Sequence, residues 1–398
     1  MMSRKILILT NRIPWPLHDG GALGMDFKIR GYQQAGMQVY LLAMNTSRHF
    51  VPDEKRARLY HDLAGFDTVP VNNNLKPHKI LSNFLFSSEP EHVGRFRSKA
   101  YETKIIDVIR SFQPDAIQLE SPFLSAYIPV IRAHTKARVM LRVNNVEYQI
   151  WERLASESKG IKKLYLNDLS RRIRRYEERI WNEYDLLLPV TDEDAAIIQL
   201  HAPADKIVLA PFGIDMSKQQ LMPAGDFLTT YHVGAMDWLP NTDAVDWLLT
   251  DIWPGVHQVI PEASFHFAGR YTPERFFRDL PEGAFCYGEV PDVNEFIAGK
   301  GTLLVPLRAG GGIRVKILEA MASGKLVIST TIGMQGIKAT DQLHYLKADT
   351  PEEYIRSIQW LKDNSGQAIQ MTANAWQLVD NQYNMTIVIH RILAALHF

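Results

Sequence analysis

The chain has 398 residues, 44 of them basic and 44 acidic, and a single cysteine, Cys286. That length exceeds one ordinary core and suits two domains of roughly 200 residues each. Balanced charge leaves no global field to recruit nucleic acid, and one cysteine excludes an internal disulfide or a cysteine metal cluster, which fits a reducing cytoplasm. No apolar run approaches the roughly 18 residues of a membrane span, and the one in MMSRKILILT is too short for a signal peptide, so the expected location is cytoplasmic.

Short apolar runs alternate with longer amphipathic ones, which predicts parallel α/β layers. In the first half the strand candidates are KILILT, VYLLAM, DTVPV, AIQLE, ARVMLRV and DLLLPV; in the second they are TYHVGA, SFHFAGR, AFCYGE, GTLLVPL, KLVIST and HYLKA. Both series are apolar on both faces, as strands covered by helices on each side must be. After the first strand, Asp19-Gly20-Gly21 reads as a turn with a helix cap. Between Lys159 and Arg179 eight bases outnumber Asp168, Glu177 and Glu178; in a helix, Leu169, Ile173, Tyr176 and Ile180 form the buried face and the arginines the outer one. That outer face is either a solvated surface or a peripheral contact for anionic lipid headgroups or a lipid diphosphate. Thr191-Asp192-Glu193-Asp194 offers a superficial Asp-x-Asp pair, but its place between a strand and AAIIQL makes Thr191 an N-cap and the acids dipole partners. No catalytic metal is expected.

The densest chemistry lies between Pro306 and Ile337, PLRAGGGIRVKILEAMASGKLVISTTIGMQGI. A strand ends at Pro306, and a helix is predicted from near Ile313, because Val315, Leu318, Met321 and Ala322 recur at helical spacing. Between them Gly310, Gly311 and Gly312 let the backbone turn sharply and bring its N–H groups close to an anion. The first N–H groups of a helix are unpaired and sit at the positive end of its dipole, so phosphate is stabilised there without a metal. Arg314 and Lys316 add charge to the same turn; the alternative is a flexible loop followed by a surface helix with two solvated bases. Glu319 stands in an otherwise apolar segment, where it either pairs with Lys316 one turn back or accepts hydrogen bonds from vicinal hydroxyls such as those of a ribose.

KILEAMASGKLVISTTIGMQGI resembles the donor site of the retaining family 4 glycosyltransferases, whose usual form is an E-x7-E motif, AMA-x-G-x-PVI and a later Gly-x-x-Gly. Further segments match in the expected order. Lys5 to Gly36 resembles the opening strand, glycine loop and first helix; LRVNNVEY (Leu141 to Tyr148) resembles the acceptor-side segment; LLLPVTDEDAAII and APFGID resemble the last strand of the first domain and the hinge. YHVGAMDWLPNTDAVDWLL resembles the first strand and helix of the second domain, and SFHFAGR with FCYGEVPDV the strands and loop closing over the nucleoside.

The resemblance implies a GT-B fold, two Rossmann-like doubly wound domains with a cleft between them: residues 1–210 on the acceptor side, 211–375 binding the nucleotide sugar, and a helix over 376–398 returning to the first domain. It implies a metal-independent transferase moving a sugar from a nucleotide diphosphate sugar, which is a substrate and not a cofactor, to a saccharide or lipid-linked acceptor with retention, in surface-polysaccharide or glycoconjugate synthesis. The expected donor site comprises Glu319 on the ribose, Arg314 and Lys316 on the diphosphate, Gly310, Gly311 and Gly312 beside phosphate and sugar, and Gly288 and Val290 at the base, with Gly234, Asp237 and Arg270 nearby. Gly20 and Gly21 face donor phosphate or acceptor; Arg142 and Glu147 are either acceptor contacts or a local ion pair. Three departures stand out. Gly311 occupies the place of the first Glu; Gly234-Ala235-Met236-Asp237-Trp238 lacks the Arg and Lys that usually clamp the diphosphate, a loss that Arg314 and Lys316 are expected to offset; and Asn144 replaces a histidine, so it orients a hydroxyl but moves no proton. A nucleotide-sugar epimerase of similar architecture and a non-catalytic nucleotide-sugar-binding protein are the alternatives.

Overall fold

The computed structural model describes residues 4–17, 20–56, 58–74, 90–219, 225–310 and 312–398. Asp19 and Gly311 lie outside them. The chain divides into two compact units, residues 1–212 with 386–398, and residues 213–385. The expected boundary was Ala210 to Asp215. The piece that rejoins the first unit starts at Thr386 and not at Trp376, because the turn over Val379–Tyr383 packs within the second unit and Ile214 bridges to Asn384.

In the first unit six parallel strands lie in the order β3-β2-β1-β4-β5-β6: β1 Lys5–Thr10, β2 Gln38–Thr46, β3 Gly65–Val71, β4 Ala116–Leu119, β5 Arg138–Val143 and β6 Leu186–Pro189. Ile6 to Leu9 have no exposed surface on either face, which explains the unbroken apolar run KILILT. Helices cover both faces: α1 Gly20–Gln34, α2 Lys99–Phe112, α3 Glu147–Glu157, α4 Gly160–Ile180 and α5 Asp192–Gln199. Local chemistry sets their ends. Ser98 caps α2 by accepting from the Tyr101 N–H, and Gln113 closes it with φ 52°. Thr191 caps α5 by accepting from the Asp194 N–H, as its sequence position predicts.

The second unit repeats the plan with order β12-β11-β10-β7-β8-β9: β7 Asp226–Val233, β8 Ser264–Ala268, β9 Ala284–Cys286, β10 Lys300–Val305, β11 Leu326–Ser329 and β12 Leu346–Lys347. Each of the twelve strands overlaps one run read from the sequence, although β2, β3, β7 and β10 begin before theirs. Strand order reverses between β1 and β4 in the first sheet and between β7 and β10 in the second, and doubly wound sheets bind ligands beyond the carboxyl ends of strands at such a reversal. Two helices frame that end in the second unit, α6 Leu239–Trp247 after β7 and α7 Val315–Ala322 after β10. No helix among the described residues is long and apolar enough to cross a membrane.

Candidate functional site

In the second unit the strand reversal gathers the glycine turn and the two cations beside the loop after β7. The turn is contorted, with Gly310 at φ +129° and Gly312 at φ +76°, conformations that only glycine adopts at little cost. Helix α7 starts at Val315 and not Ile313, with Arg314 at the N-cap in extended conformation. Its buried guanidinium donates from Nη1 to the Gly312 carbonyl and lies 5.8 Å over the ring of Trp238. A Cβ on Gly310 would stand 3.0 Å from Arg314 Nη2 and 3.3 Å from Trp238, so a side chain there would crowd both groups in addition to straining the φ.

Lys316 does not pair with Glu319. Its Nζ donates to the Val233 carbonyl at 2.7 Å and to Asn241 Oδ1 at 2.9 Å, with His232 Nε2 at 3.4 Å. The buried His232 donates from Nδ1 to the Leu304 carbonyl at 2.8 Å, which fixes Nε2 as an acceptor toward the lysine. Burial and the neighbouring Arg314 lower the Lys316 pKa to about 7. Its three N–H bonds are thus directed at three internal acceptors, and what it offers an anion here is charge. Arg314 thus reaches the loop Gly234 to Trp238 at Trp238, and Lys316 reaches its two flanks at Val233 and Asn241; from that loop the resemblance had found an Arg and a Lys missing.

Glu319 keeps its carboxylate exposed on α7, with no hydrogen bond or ion pair to a described residue. Loss of hydration beside the protein raises its pKa, and Lys316 pulls the other way. Gly234 packs on Asn241, whose amide donates to the Ala235 carbonyl at 2.9 Å, and Gly269 is so close to Gly234 that a Cβ would stand 1.9 Å from its carbonyl oxygen. Asp237 is exposed, Arg270 lies 5.6 Å over Tyr271, and Gly288 (φ +63°) accepts from the Gly269 N–H at 2.7 Å, with Val290 half-buried two residues on. The strands' carboxyl ends therefore bring Gly234, Gly269 and Gly288 into adjacent turns.

In the first unit Gly20 opens α1, and the α1 residue Gly24 is pressed against Arg142, where a Cβ would stand 2.0 Å from Nη2. Gly21 follows Gly20 in the first turn of that helix. Arg142 pairs with Glu120 at 2.8 Å, both buried, and not with Glu147, so the local ion pair read from the sequence is excluded. Glu120 also accepts from Gln118, which accepts from the Tyr32 hydroxyl. Lys28 lies in the same cluster, 1 % exposed, with its Nζ unpaired among the described residues and its pKa lowered by burial and then by Arg142. Half-buried Asn144 follows β5.

Glu147 begins α3, its pKa pushed up to about 7 by burial while Arg95 draws it down. The first two N–H groups of α3 donate to the buried Glu177 of α4, at 3.0 and 2.9 Å, and the Val146 N–H donates to Asp194 at 3.1 Å. Thus Asp194, which also accepts from Thr191 Oγ1 at 2.8 Å, is engaged in joining α3 to α5. Around Glu147, the His92 and Trp151 rings are 4.7 Å apart and His92 lies 6.0 Å from Phe123. His92 Nδ1, Arg95 Nε and Trp151 Nε1 have no hydrogen-bond partner among the described residues. His92, Arg95 and Trp151 were missed by sequence reasoning, since neither spacing nor motif links them. Among the described residues, no group of three His, Cys, Asp or Glu side chains is placed to hold a metal ion.

Residues 228–364 match the family of glycosyl transferases group 1, a segment that spans the strand reversal, the glycine turn and Glu319. The whole chain superposes on HepE of Anabaena solved with UDP, at TM-score 0.66, 13 % identity and 99 % coverage of each chain. Similar values relate it to TarM of S. aureus (TM-score 0.66, 10 %, covering 100 % of this chain and 99 % of that one) and to sucrose-phosphate synthase of Thermosynechococcus elongatus (0.64, 15 %, 99 % of each). The fold is GT-B. A Klebsiella pneumoniae protein, described as an uncharacterized 44.6 kDa protein in the cps region, is 21 % identical over 96 % of each chain.

Proposed function

We propose that the protein is a glycosyltransferase that takes its sugar from a nucleotide diphosphate sugar bound to the second unit. The observation that carries this reading is the convergence of Arg314, Lys316 and the Gly310–Gly312 turn at the strand reversal, with the exposed, unpaired Glu319 carboxylate on the same helix. Glu319 accepts hydrogen bonds from the ribose hydroxyls. Arg314 holds the diphosphate directly, while Lys316, its N–H bonds already committed, lowers the potential barrier for the anion through its charge. The turn between Gly288 and Val290 receives the base by its backbone groups.

The acceptor is a saccharide or a lipid-linked saccharide, and the first unit holds it with Glu147, Arg95, Trp151 and Asn144. Its hydroxyl oxygen forms the new glycosidic bond as the bond from the anomeric carbon to the diphosphate breaks. The departing phosphate oxygen takes the hydroxyl proton, so attack and departure share one face and the configuration is retained. The protein's own contribution is preorganised positive charge on the leaving group and alignment of the hydroxyl. The cps-region relative and the UDP bound in HepE favour surface-polysaccharide synthesis and a uridine donor. Product analysis tests the assignment: a free nucleoside diphosphate with a glycosylated acceptor supports it, whereas an isomerised donor with no acceptor consumed replaces it with epimerase chemistry.

A further inference from the structure

Helices α3 and α4 form a hairpin whose connecting end carries both apolar and cationic side chains. Leu154 is 43 % exposed near the end of α3 and Leu164 is 69 % exposed in the first turns of α4, with Lys159, Lys162 and Lys163 exposed beside them. Along α4 every fourth residue from Lys163 is Asn167, Arg171, Arg175 and Arg179, and these three arginines are exposed. The buried face holds Leu169, Ile173, Tyr176 and Ile180 as the sequence predicts, but Arg172 and Glu177 are turned inward too, so the outer face is narrower than the run of bases implied.

The acids on α4 and just after it are engaged elsewhere, while α3 carries an exposed acid, Glu152, whose charge acts on Arg174. Glu178 binds Arg174 at 2.7 Å, Asp168 lies 3.8 Å from Arg172, Glu183 lies 4.0 Å from Arg179, and Glu177 serves the start of α3. Lys162, Lys163, Arg171 and Arg175 have no ion pair with a described residue. Like charges four apart on a helix lower its stability slightly, so the unpaired Arg171 and Arg175 in one row favour an external anion, and a chain with no net charge has no general reason to concentrate cations there. Exposed leucines at the same end are of no use to a soluble polyanion, but they suit the apolar boundary beneath a layer of headgroups.

We propose that this hairpin docks the protein on an anionic bilayer surface, with Leu154 and Leu164 entering the interface and the row from Lys163 to Arg179 lying against the headgroups. The test is sedimentation of the full chain with phosphatidylcholine vesicles and with mixed phosphatidylcholine–phosphatidylglycerol vesicles, at low and high salt. Wild type should bind the mixed vesicles, only weakly the neutral ones, and less as salt rises. A Lys163→Gln, Arg171→Gln, Arg175→Gln variant should partition about a hundredfold less, each base contributing roughly a fivefold factor. Leu154→Ser with Leu164→Ser should also weaken binding but leave its salt dependence in place. Unchanged far-UV circular dichroism and melting midpoint show that each variant is folded. Failure of wild type to bind mixed vesicles at low salt, or equal binding by the triple variant, overturns the proposal.

Discussion

If the Lys316 ammonium serves the diphosphate, nucleotide affinity must fall as the solution is made alkaline. Lys316 has its pKa lowered from 10.5 to about 7, so the free protein carries this charge fully only below neutrality. About half of the molecules carry it at pH 7 and about one in a hundred at pH 9. An anion that binds the charged form must therefore draw a proton from solution, and its affinity should drop about fiftyfold between pH 7 and pH 9. His232 does not blur the window, because burial holds its pKa well below 6.5. The assay is calorimetric titration with the nucleoside diphosphate that stabilises the fold most, in buffers of different ionisation enthalpy. Wild type should take up about half a proton per ligand at pH 7; Lys316→Met should bind more weakly at pH 6 and show a flat profile. Constant wild-type affinity from pH 7 to pH 9 with no proton uptake refutes the electrostatic role of Lys316.

Glu120→Ala strands the buried Arg142 and Lys28 without a counter-charge and should cost about 3–5 kcal/mol in urea unfolding, far more than removal of an exposed pair such as Arg308 with Asp243. Glu177 has its folded pKa raised from 4.5 to about 8 by burial, which outweighs its two backbone N–H donors. A raised acid pKa makes the folded state bind the extra proton, so wild-type stability should decline between about pH 4.5 and 8; Glu177→Gln should remove a few kcal/mol of that decline in melts across the window. Gly269→Ala forces a Cβ against the Gly234 carbonyl, and because backbone opposes it the ends of β7 and β8 must part. The expected cost is about 1–3 kcal/mol together with weakened nucleotide binding, read from the same melts with and without ligand. Arg314→Ala should depress turnover about a hundredfold, as loss of one preorganised donor does, in a product assay under saturating donor.

The fold was legible because parallel strands buried on both faces are written as unbroken apolar runs, as in KILILT and TLLVP, and each of the twelve runs became a strand. The glycine turn was legible in part: Gly310 and Gly312 take positive φ ahead of a basic helix start, but that helix begins at Val315. Side-chain direction was not. Lys316 and Glu319 stand at salt-bridge spacing, yet the lysine turns to the carbonyl of Val233, an acceptor that lies 83 residues away in sequence and is adjacent only through the pairing of β7 with β10. Likewise Arg142 and Glu147 are near neighbours in sequence, but the register of β4 and β5 sets Glu120 beside Arg142 instead. The His92, Arg95 and Trp151 group has no sequence signature, because it is assembled from segments that follow different strands.

The most direct test of the account is a thermal-shift titration of wild type and Glu319→Ala with UDP, GDP, ADP and CMP. At a hundred times its dissociation constant, a ligand stabilises the fold by about 2.7 kcal/mol, a clear rise in melting midpoint. The account predicts that one nucleoside diphosphate raises the wild-type midpoint and leaves that of Glu319→Ala nearly unmoved. Equal stabilisation of both proteins, or of neither by any of the four nucleotides, would contradict it.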